Sequence, residues 1–119
     1  MKATIVQCGL GWEDRKANLA HISSLLDAAS PGSGMVVLPE MFTTGFTMNP
    51  APLAEAMNGP TVGWMKERAA DGGYALCGSV ITGEEGLFYN RMIFVTPSGD
   101  VTFYDKRHLH TMSGEHTVY

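Results

Sequence analysis

Four apolar residues, Met35 to Leu38, run directly into Pro39-Glu40, and this run constrains the fold more than any other stretch of the chain. A run without a polar side chain predicts a strand that is covered on both faces of its sheet. Proline then ends the strand, because it has no backbone N–H to donate. We therefore expect a buried strand with the carboxylate of Glu40 at its C-terminal end.

Helical patterns and further strands surround this run. Asp14 is placed to cap a helix, because its side chain can accept from the first free backbone N–H groups. Residues 41–60 show no clean period and predict a long loop, of the kind that is often functional. The predicted strands are residues 3–8, 35–38, 74–81, 88–96 and 101–104. The predicted helices run from Asp14 to the stop at Pro31–Gly34, with Leu19, Ile22, Leu25, Leu26 and Ala29 inward, and from Thr61 to about Asp71.

The resulting order, β-α-β-α-β-β-β, fits one domain over residues 1–119. Alternating β-α units predict a sheet covered by helices, and the turn at residues 97–100 adds antiparallel strands. The fold class is therefore α/β or a layered α+β variant. Residues 106–119 show no helical or strand period. Because the chain ends at Tyr119 without a stop signal or a polar tail, we interpret it as the N-terminal part of a longer domain.

Charge and composition exclude several classes of protein. The net charge is −4, and the tightest basic cluster is the pair Lys106-Arg107, which opposes binding to nucleic acid. The longest apolar run is far too short for a bilayer helix, and the N-terminus lacks the regions of a signal peptide. Two cysteines do not make a disulfide framework. We expect a cytoplasmic protein with neither a membrane nor a nucleic-acid partner.

Two charged side chains follow predicted strands, where functional sites of α/β sheets commonly lie. Glu40 is flanked by Met41 and Phe42, so it would be partly desolvated, which suits a general base. Lys106 follows the last predicted strand, and an ammonium in a dry pocket can stabilise an oxyanion. Each residue has a simpler interpretation, a surface ion pair for Glu40 and an exposed hairpin end for Lys106. The two strand ends must converge for the functional interpretation to hold.

The cysteines and histidines are weaker candidates. Cys8 and Cys77 lie in apolar, β-rich stretches and are most simply small buried hydrophobic residues. His108 and His110 form an H-x-H pair, with Glu115 and His116 shortly after it. On a strand, such a pair would point both imidazoles to one face and begin a metal site. That pattern is short and lacks a defined third ligand, so we expect no metal.

Taken together, the two strand ends resemble the nitrilase superfamily of carbon–nitrogen hydrolases. The first match, residues 36–42, reads Val-Val-Leu-Pro-Glu-Met-Phe, where the superfamily has its catalytic glutamate. The second, residues 103–109, reads Phe-Tyr-Asp-Lys-Arg-His-Leu, where it has its catalytic lysine. Further matches lie in the same order at Gln7, at Asn18, at Gly59-Pro60-Thr61, at Tyr89-Asn90-Arg91 and at Pro97-Ser98-Gly99. The resemblance spans essentially the whole chain.

This resemblance implies an α/β fold, the N-terminal portion of a four-layer α-β-β-α sandwich, with a mixed sheet and two helices. By position, Glu40 would be the general base, Lys106 the oxyanion stabiliser and Glu115 a second glutamate that orients the site. Phe42 and Phe46 would border the substrate pocket. The superfamily forms a thioester on cysteine without metal or organic cofactor. The complete protein would be a homo-oligomer acting on a small amide.

Within the superfamily, Thr43-Thr44-Gly45-Phe46 and the segment from Met112 to Tyr119 look most like the ω-amidase branch. That branch hydrolyses monoamides of 2-oxo-dicarboxylates, such as 2-oxoglutaramate and 2-oxosuccinamate. The sequence departs from the pattern in one respect. The superfamily's nucleophilic cysteine lies well after the lysine, and neither Cys8 nor Cys77 occupies that position. We therefore predict that these 119 residues alone have no amidase turnover, and a non-catalytic module or pseudoenzyme remains the alternative.

Overall fold

The computed structural model describes residues 2–32 and 34–119, and within them the predicted order of elements is confirmed with one addition. Ser33, part of the predicted helix stop, lies outside the described residues. A third, short helix occurs in the segment for which we predicted none. The elements are β1 (Ala3–Ile5), α1 (Arg15–Ala29), β2 (Gly34–Val37), α2 (Pro60–Gly72), β3 (Tyr74–Glu84), β4 (Leu87–Val95), β5 (Val101–Asp105) and α3 (Glu115–Val118).

The five strands form one mixed sheet in the order β1-β2-β3-β4-β5. The first three are parallel, whereas β4 pairs antiparallel with both β3 and β5. Strand β1 is shorter than predicted, because its partner β2 ends at Val37. The last bond of that ladder runs from the Val6 amide to the Val37 carbonyl, 2.9 Å. The α/β class with a mixed sheet is confirmed.

Local signals in the sequence account for the ends of both long helices. Asp14 caps α1 by accepting the Ala17 amide at 3.1 Å, and α2 ends at Gly73 with φ 66°, a left-handed conformation that glycine adopts readily. The buried stripe of α1 is narrower than predicted. Ile22 and Leu26 are fully buried, whereas Ala29, the last helical residue, is exposed.

Both long helices pack on one face of the sheet, and this leaves the other face largely open. The core between them comprises Ile22, Leu26, Val36, Val62, Met65, Ala69, Leu76, Val80, Ile93 and Val95. On the opposite face Tyr104 and Met92 are exposed, as is Ile5 at the sheet's edge. The prediction that the second strand is covered on both faces is therefore wrong for the described chain. Val36 is buried, but Met35 and Val37 are only half-buried.

An ion pair joins β4 to β5 on the helix-covered side of the sheet. The Arg91 side chain is 1% exposed, and its Nε and Nη2 atoms donate to the two Asp105 carboxylate oxygens at 2.7 and 3.1 Å. The Phe103 ring stacks on the guanidinium, with its centroid 4.0 Å from Cζ. Arg91 on β4 and Asp105 on β5 lie directly opposite each other in the sheet. Their ion pair therefore also holds the neighbouring residues, Asn90 and Lys106, close together.

Replacing Asp105 by Asn should lower the free energy of unfolding by roughly 3 kcal/mol, because it leaves a buried guanidinium without its main partner. We place the effect at the lower end of the usual cost because Asp105 is 31% exposed and Glu84 still contacts Arg91 at 3.3 Å. Urea unfolding measures the change. Asp71→Asn on the exposed side of α2 is the control, and an equal small effect in both variants would contradict the prediction.

Within residues 2–32 and 34–119, no helix has the length and apolar character needed to cross a membrane.

Candidate active site

Glu40 stands just after β2, held by hydrogen bonds from the following residues to β3. The Met41 amide donates to Ser79 Oγ at 2.8 Å, and the Phe42 amide donates to the Ser79 carbonyl at 3.3 Å. Met41 has φ 49°, the left-handed region that non-glycine residues rarely adopt. The backbone therefore turns sharply at this point, and the Glu40 side chain, 50% exposed, points away from the core.

Lys106 follows β5, and its backbone is tied to β4. Its amide donates to the Asn90 carbonyl at 3.0 Å, which extends the β4–β5 pairing by one residue beyond Asp105. Its side chain is 30% exposed. Lys106 thus lies at the end of a strand as predicted, and a neighbouring strand sets its position.

Glu115 is the first residue of α3 and its side chain is fully buried. The chain reaches it through Gly114, which has φ 82°. The His110 amide donates to Glu115 Oε1 at 2.7 Å, so the turn before α3 is closed by the carboxylate itself. A buried carboxylate needs such partners, because leaving it unpaired would be very costly.

The structure brings Glu40, Lys106 and Glu115 together. Lys106 Nζ lies 2.8 Å from Glu40 Oε1 and 3.0 Å from Glu115 Oε1. Glu40 and Lys106 are 66 positions apart in the chain, so their contact depends entirely on the sheet. The condition set by the sequence, that the two strand ends converge, is met.

Asn90 on β4 connects the same three residues. Its Nδ2 atom donates to Glu40 Oε1 at 2.8 Å and to Glu115 Oε2 at 3.0 Å, and its carbonyl accepts the Lys106 amide. The residue is 3% exposed. The four side chains therefore form one hydrogen-bonded cluster with a single cation and two carboxylates.

The pKa values of the buried members reflect this pairing. Burial alone raises the pKa of Glu115, but the bonds from Asn90, from the His110 amide and from Lys106 outweigh it, and the net pKa is lowered. Burial also lowers the pKa of Lys106, but its bonds to Glu40 and Glu115 and their charges outweigh it, and the net pKa is raised. Both groups are consequently held in their charged forms at neutral pH.

A cavity of about 340 Å³ opens beside the cluster on the helix-free face of the sheet. It is lined by Glu40, Ser79, Asn90, Met92, Tyr104 and Lys106. Apolar walls with a few converging polar groups are typical of small-molecule sites. The cavity thus presents a carboxylate and an ammonium to any molecule that enters it.

Of the two phenylalanines predicted to border the pocket, one lies elsewhere. Phe42 is completely buried in the core, 5.9 Å from the ring of Trp64 between centroids, and does not line the cavity. Gly78 on β3 makes room for it, since a Cβ there would lie 2.8 Å from the ring. Phe46, by contrast, is 36% exposed, and its ring centroid lies 5.3 Å from Lys106 Nζ.

Neither cysteine belongs to the cluster or lines the cavity. Both are half-buried, Cys8 packs against the hydrophobic core, and burial raises the pKa of each thiol. A nucleophilic cysteine needs the opposite shift, toward the thiolate.

The histidine alternative has no geometric support. His108 and His110 follow the last strand instead of lying on it, and both are exposed, as is His116. The His110 ring is engaged by Ser113, with Nδ1 2.9 Å from the hydroxyl oxygen. In the described part of the chain, no group of three histidine, cysteine or acidic side chains is arranged to hold a metal ion.

Sequence reasoning missed four residues that line the cavity. The sequence marks Asn90 only through the resemblance, and nothing local distinguishes Ser79, Met92 and Tyr104 from ordinary strand residues. Alternation along β4 places Asn90 and Met92 on one face, but that signal becomes useful only when the register with β3 and β5 is known.

Comparison with known protein families identifies the family of this chain. The profile of the family described as "Carbon-nitrogen hydrolase" matches residues 2–118. The chain belongs to the carbon–nitrogen hydrolase family. This family relation agrees with the geometry of the cluster, because Glu40, Lys106 and Glu115 all lie within the matched residues.

The relatives of this chain include amidases. The chain is 41% identical over 119 residues to the omega-amidase YafV of Escherichia coli (strain K12), covering all of this chain and 46% of that protein. It is 28% identical over 121 residues to the 2-oxoglutaramate amidase of Bacillus subtilis (strain 168), covering 98% of this chain and 47% of that protein. The chain thus spans about half the length of the curated relatives it matches.

A solved structure shows the same architecture. The CN-hydrolase superfamily protein XC1258 from Xanthomonas campestris superimposes with a TM-score of 0.93 at 39% identity, over 98% of this chain and 44% of that one. The crystal structure of that protein contains an arsenic adduct in its active site. The carbon–nitrogen hydrolase from Helicobacter pylori G27, at 21% identity and a TM-score of 0.84, shares the fold.

Proposed function

We propose that the complete protein is an ω-amidase that hydrolyses the terminal amide of a 2-oxo-dicarboxylate monoamide, 2-oxoglutaramate or 2-oxosuccinamate. The observation that carries this proposal is the contact of one lysine with two glutamates beside an open, mostly apolar cavity. The relatives named for omega-amidase and for 2-oxoglutaramate amidase support the choice of substrate. The cysteine nucleophile lies outside these 119 residues in this proposal, because neither Cys8 nor Cys77 lines the cavity or contacts the cluster.

Exposure assigns different tasks to the two glutamates. Glu40 is half-exposed and lines the cavity, so its carboxylate is accessible to a proton donor, whereas Glu115 is fully buried. Both bonds to the Glu40 side chain reach the same oxygen, Oε1, from Asn90 and Lys106. Among residues 2–32 and 34–119, no hydrogen-bond donor reaches Glu40 Oε2. That oxygen is free to accept a proton, which makes Glu40 the base.

The ammonium of Lys106 has a spare donor for the reaction. A protonated lysine carries three N–H groups, and Glu40 and Glu115 take two of them. The third can donate to the oxyanion that forms when a nucleophile attacks the amide carbon. One such donor is worth roughly 3 kcal/mol of transition-state stabilisation. The raised pKa keeps Lys106 protonated throughout.

These roles combine into two steps. Glu40 takes the thiol proton, and the thiolate attacks the amide carbon to give a tetrahedral oxyanion beside Lys106. The oxyanion collapses, the C–N bond breaks, and the proton on Glu40 passes to the departing nitrogen, so that ammonia leaves and a thioester remains. Glu40 then takes a proton from water, whose oxygen attacks the thioester. Collapse of that intermediate releases the carboxylic acid and returns the proton to the sulfur.

Ammonia release from 2-oxoglutaramate by the complete protein tests the proposal. We expect one ammonia and one 2-oxoglutarate for each substrate consumed, with little activity on glutamine, which carries an amino group in place of the 2-oxo group. Release from other amides but from neither 2-oxoglutaramate nor 2-oxosuccinamate would reject the proposed substrate and keep amide hydrolysis. The isolated 119 residues should release no ammonia, and turnover by them would overturn the placement of the nucleophile. Homo-oligomerisation and a cytoplasmic location remain predictions.

A further inference from the structure

Within residues 2–32 and 34–119, only Asn90 forms hydrogen bonds with each of the three charged residues of the cluster. Its side-chain amide donates to Glu40 Oε1 and to Glu115 Oε2, and its main-chain carbonyl accepts the Lys106 amide, all at 2.8–3.0 Å. We propose that Asn90 is a positioning residue that holds Glu40 and Glu115 in fixed orientations around Lys106. The catalytic meaning of this inference rests on the proposed function, but the positioning itself does not.

The chemistry of the amide suits this task. An asparagine Nδ2 carries two N–H groups, and here each points to a different carboxylate. Asn90 is neutral, so it connects two anions without adding a charge that Lys106 would have to share. A hydroxyl has one hydrogen to donate and a carboxylate none. No side chain of similar size supplies the same pair of donors in so small a space.

The bonds from Asn90 also determine which oxygen of Glu40 stays free. Glu40 is half-exposed, so without a rigid partner its side chain would rotate in solvent and either oxygen could face Lys106. Lysine restrains such a partner poorly, because its ammonium is a compact point charge on a flexible stem. Asn90 is buried on a strand, and it holds Oε1 from a second direction. The other oxygen of Glu40, Oε2, is thereby left free to accept the proton.

Asn18 provides a matched comparison within the same chain. It is buried to the same degree, 2% exposed against 3% for Asn90, and its Nδ2 atom also makes two bonds, at 2.8 and 2.7 Å. Its acceptors, however, are the carbonyls of Gly11 and Thr43, which do not titrate. The two asparagines therefore have similar packing roles, but only Asn90 contacts ionisable groups.

Side-chain amide signals in the wild-type complete protein test the inference without any substitution. In two-dimensional ¹H–¹⁵N NMR spectra recorded from pH 7 downward, the Nδ2 protons of Asn90 should shift as Glu115 takes up a proton. Those of Asn18 should stay flat while the fold persists. Chemical shifts of the Asn90 side chain that do not change with pH would overturn the inference. No substrate is needed, so this result is independent of whether the protein proves to be an ω-amidase.

Two variants extend the test to catalysis. Asn90→Leu keeps the number and branching of the side-chain heavy atoms and removes both donors, and we expect kcat to fall about 10²-fold, as for a small misplacement of reacting groups, with KM within about twofold. Asn90→Asp is nearly isosteric and places a third carboxylate beside the other two, so kcat should fall at least as far. In Asn90→Leu the pKa of Glu115 should rise, because the Asn90 bond is the first of the interactions that lower it.

The control variant for these measurements is Asn18→Leu, which should lower stability but leave the titration of Glu115 in place. A folded Asn90→Asp with wild-type kcat would contradict the positioning role. So would an Asn90→Leu variant in which the pKa of Glu115 stays lowered. If both Asn90 variants fail to fold, the wild-type NMR titration alone decides.

Discussion

Replacing Glu40 by Gln should lower kcat of the complete protein by about 10³-fold, within the range attributed to loss of a general base. The amide oxygen of Gln can still accept from Asn90 and Lys106 at the Oε1 position, so the cluster keeps its geometry. The group at the Oε2 position becomes NH₂, which cannot accept a proton from a thiol or from water. The variant therefore isolates proton transfer from structure.

Steady-state ammonia release and thermal unfolding of the same samples measure this effect. We expect KM for 2-oxoglutaramate within about twofold of wild type, because Glu40 acts on the proton and leaves substrate binding to other groups. Glu67→Gln, an exposed change on α2, is the control and should leave both kcat and Tm unaltered. Wild-type activity in Glu40→Gln would remove Glu40 from the role of base.

Replacing Lys106 by Met should affect both folding and catalysis. Glu115 is fully buried, and its carboxylate would lose the only cation within 4 Å of it in the described part of the chain. Removing one partner of a buried pair costs about 3–5 kcal/mol, and we expect a loss near 3 kcal/mol because Lys106 is 30% exposed and Asn90 still donates to Glu115. Loss of the oxyanion donor should also lower kcat, by about 10²–10³-fold.

The pKa values of Glu115 and Lys106 determine the pH range in which their ion pair stabilises the fold. The folded pKa of Glu115 is lowered from its ordinary value of 4.5, so its contribution is present above pH 4.5 and is lost as the pH falls through the folded pKa. The folded pKa of Lys106 is raised from 10.5, so its contribution is present below pH 10.5 and is lost as the pH rises through the folded pKa.

The difference in unfolding free energy between wild type and Lys106→Met should therefore be greatest between about pH 5 and 10. It should shrink on either side of that window. Urea unfolding at a series of pH values measures the difference. Lys66→Met, an exposed change on α2, is the control and should show a small difference that does not vary with pH. A pH-independent loss in Lys106→Met would mean that packing, not the ion pairs, accounts for its cost.

Local patterns in the sequence predicted most of the secondary structure, because helix and strand signals depend on near neighbours. Asp14 caps the start of α1 as expected, and α2 ends at Gly73, close to the predicted end near Asp71; both termini are held by bonds to residues a few positions away. The failures have tertiary causes. Strand β1 stops early because its partner β2 stops, and α3 shows no apolar period because it has only four residues. Distant groups, Asn90 and Lys106, hold its first residue, Glu115.

The candidate site was predicted only as separate residues. Glu40 and Lys106 were recognised because each follows a strand, and Glu115 through the resemblance alone. Phe42 was assigned to the pocket through the resemblance, but Gly78 on a neighbouring strand leaves a space in the core, and the Phe42 ring fills it. No role at the site was predicted for Asn90 or Ser79, because the role of a buried polar residue in a strand depends on the residues that lie across the sheet from it.

By itself, the sequence determined that Glu40 and Lys106 stand at the ends of two strands, because an apolar run stopped by proline and a hairpin turn are local signals. Only the tertiary structure decided that these ends meet. Parallel pairing of β2 with β3 and antiparallel pairing of β3, β4 and β5 bring Glu40, Asn90 and Lys106 within hydrogen-bonding distance. Register across a sheet depends on residues far apart in the chain, so no local pattern carries it.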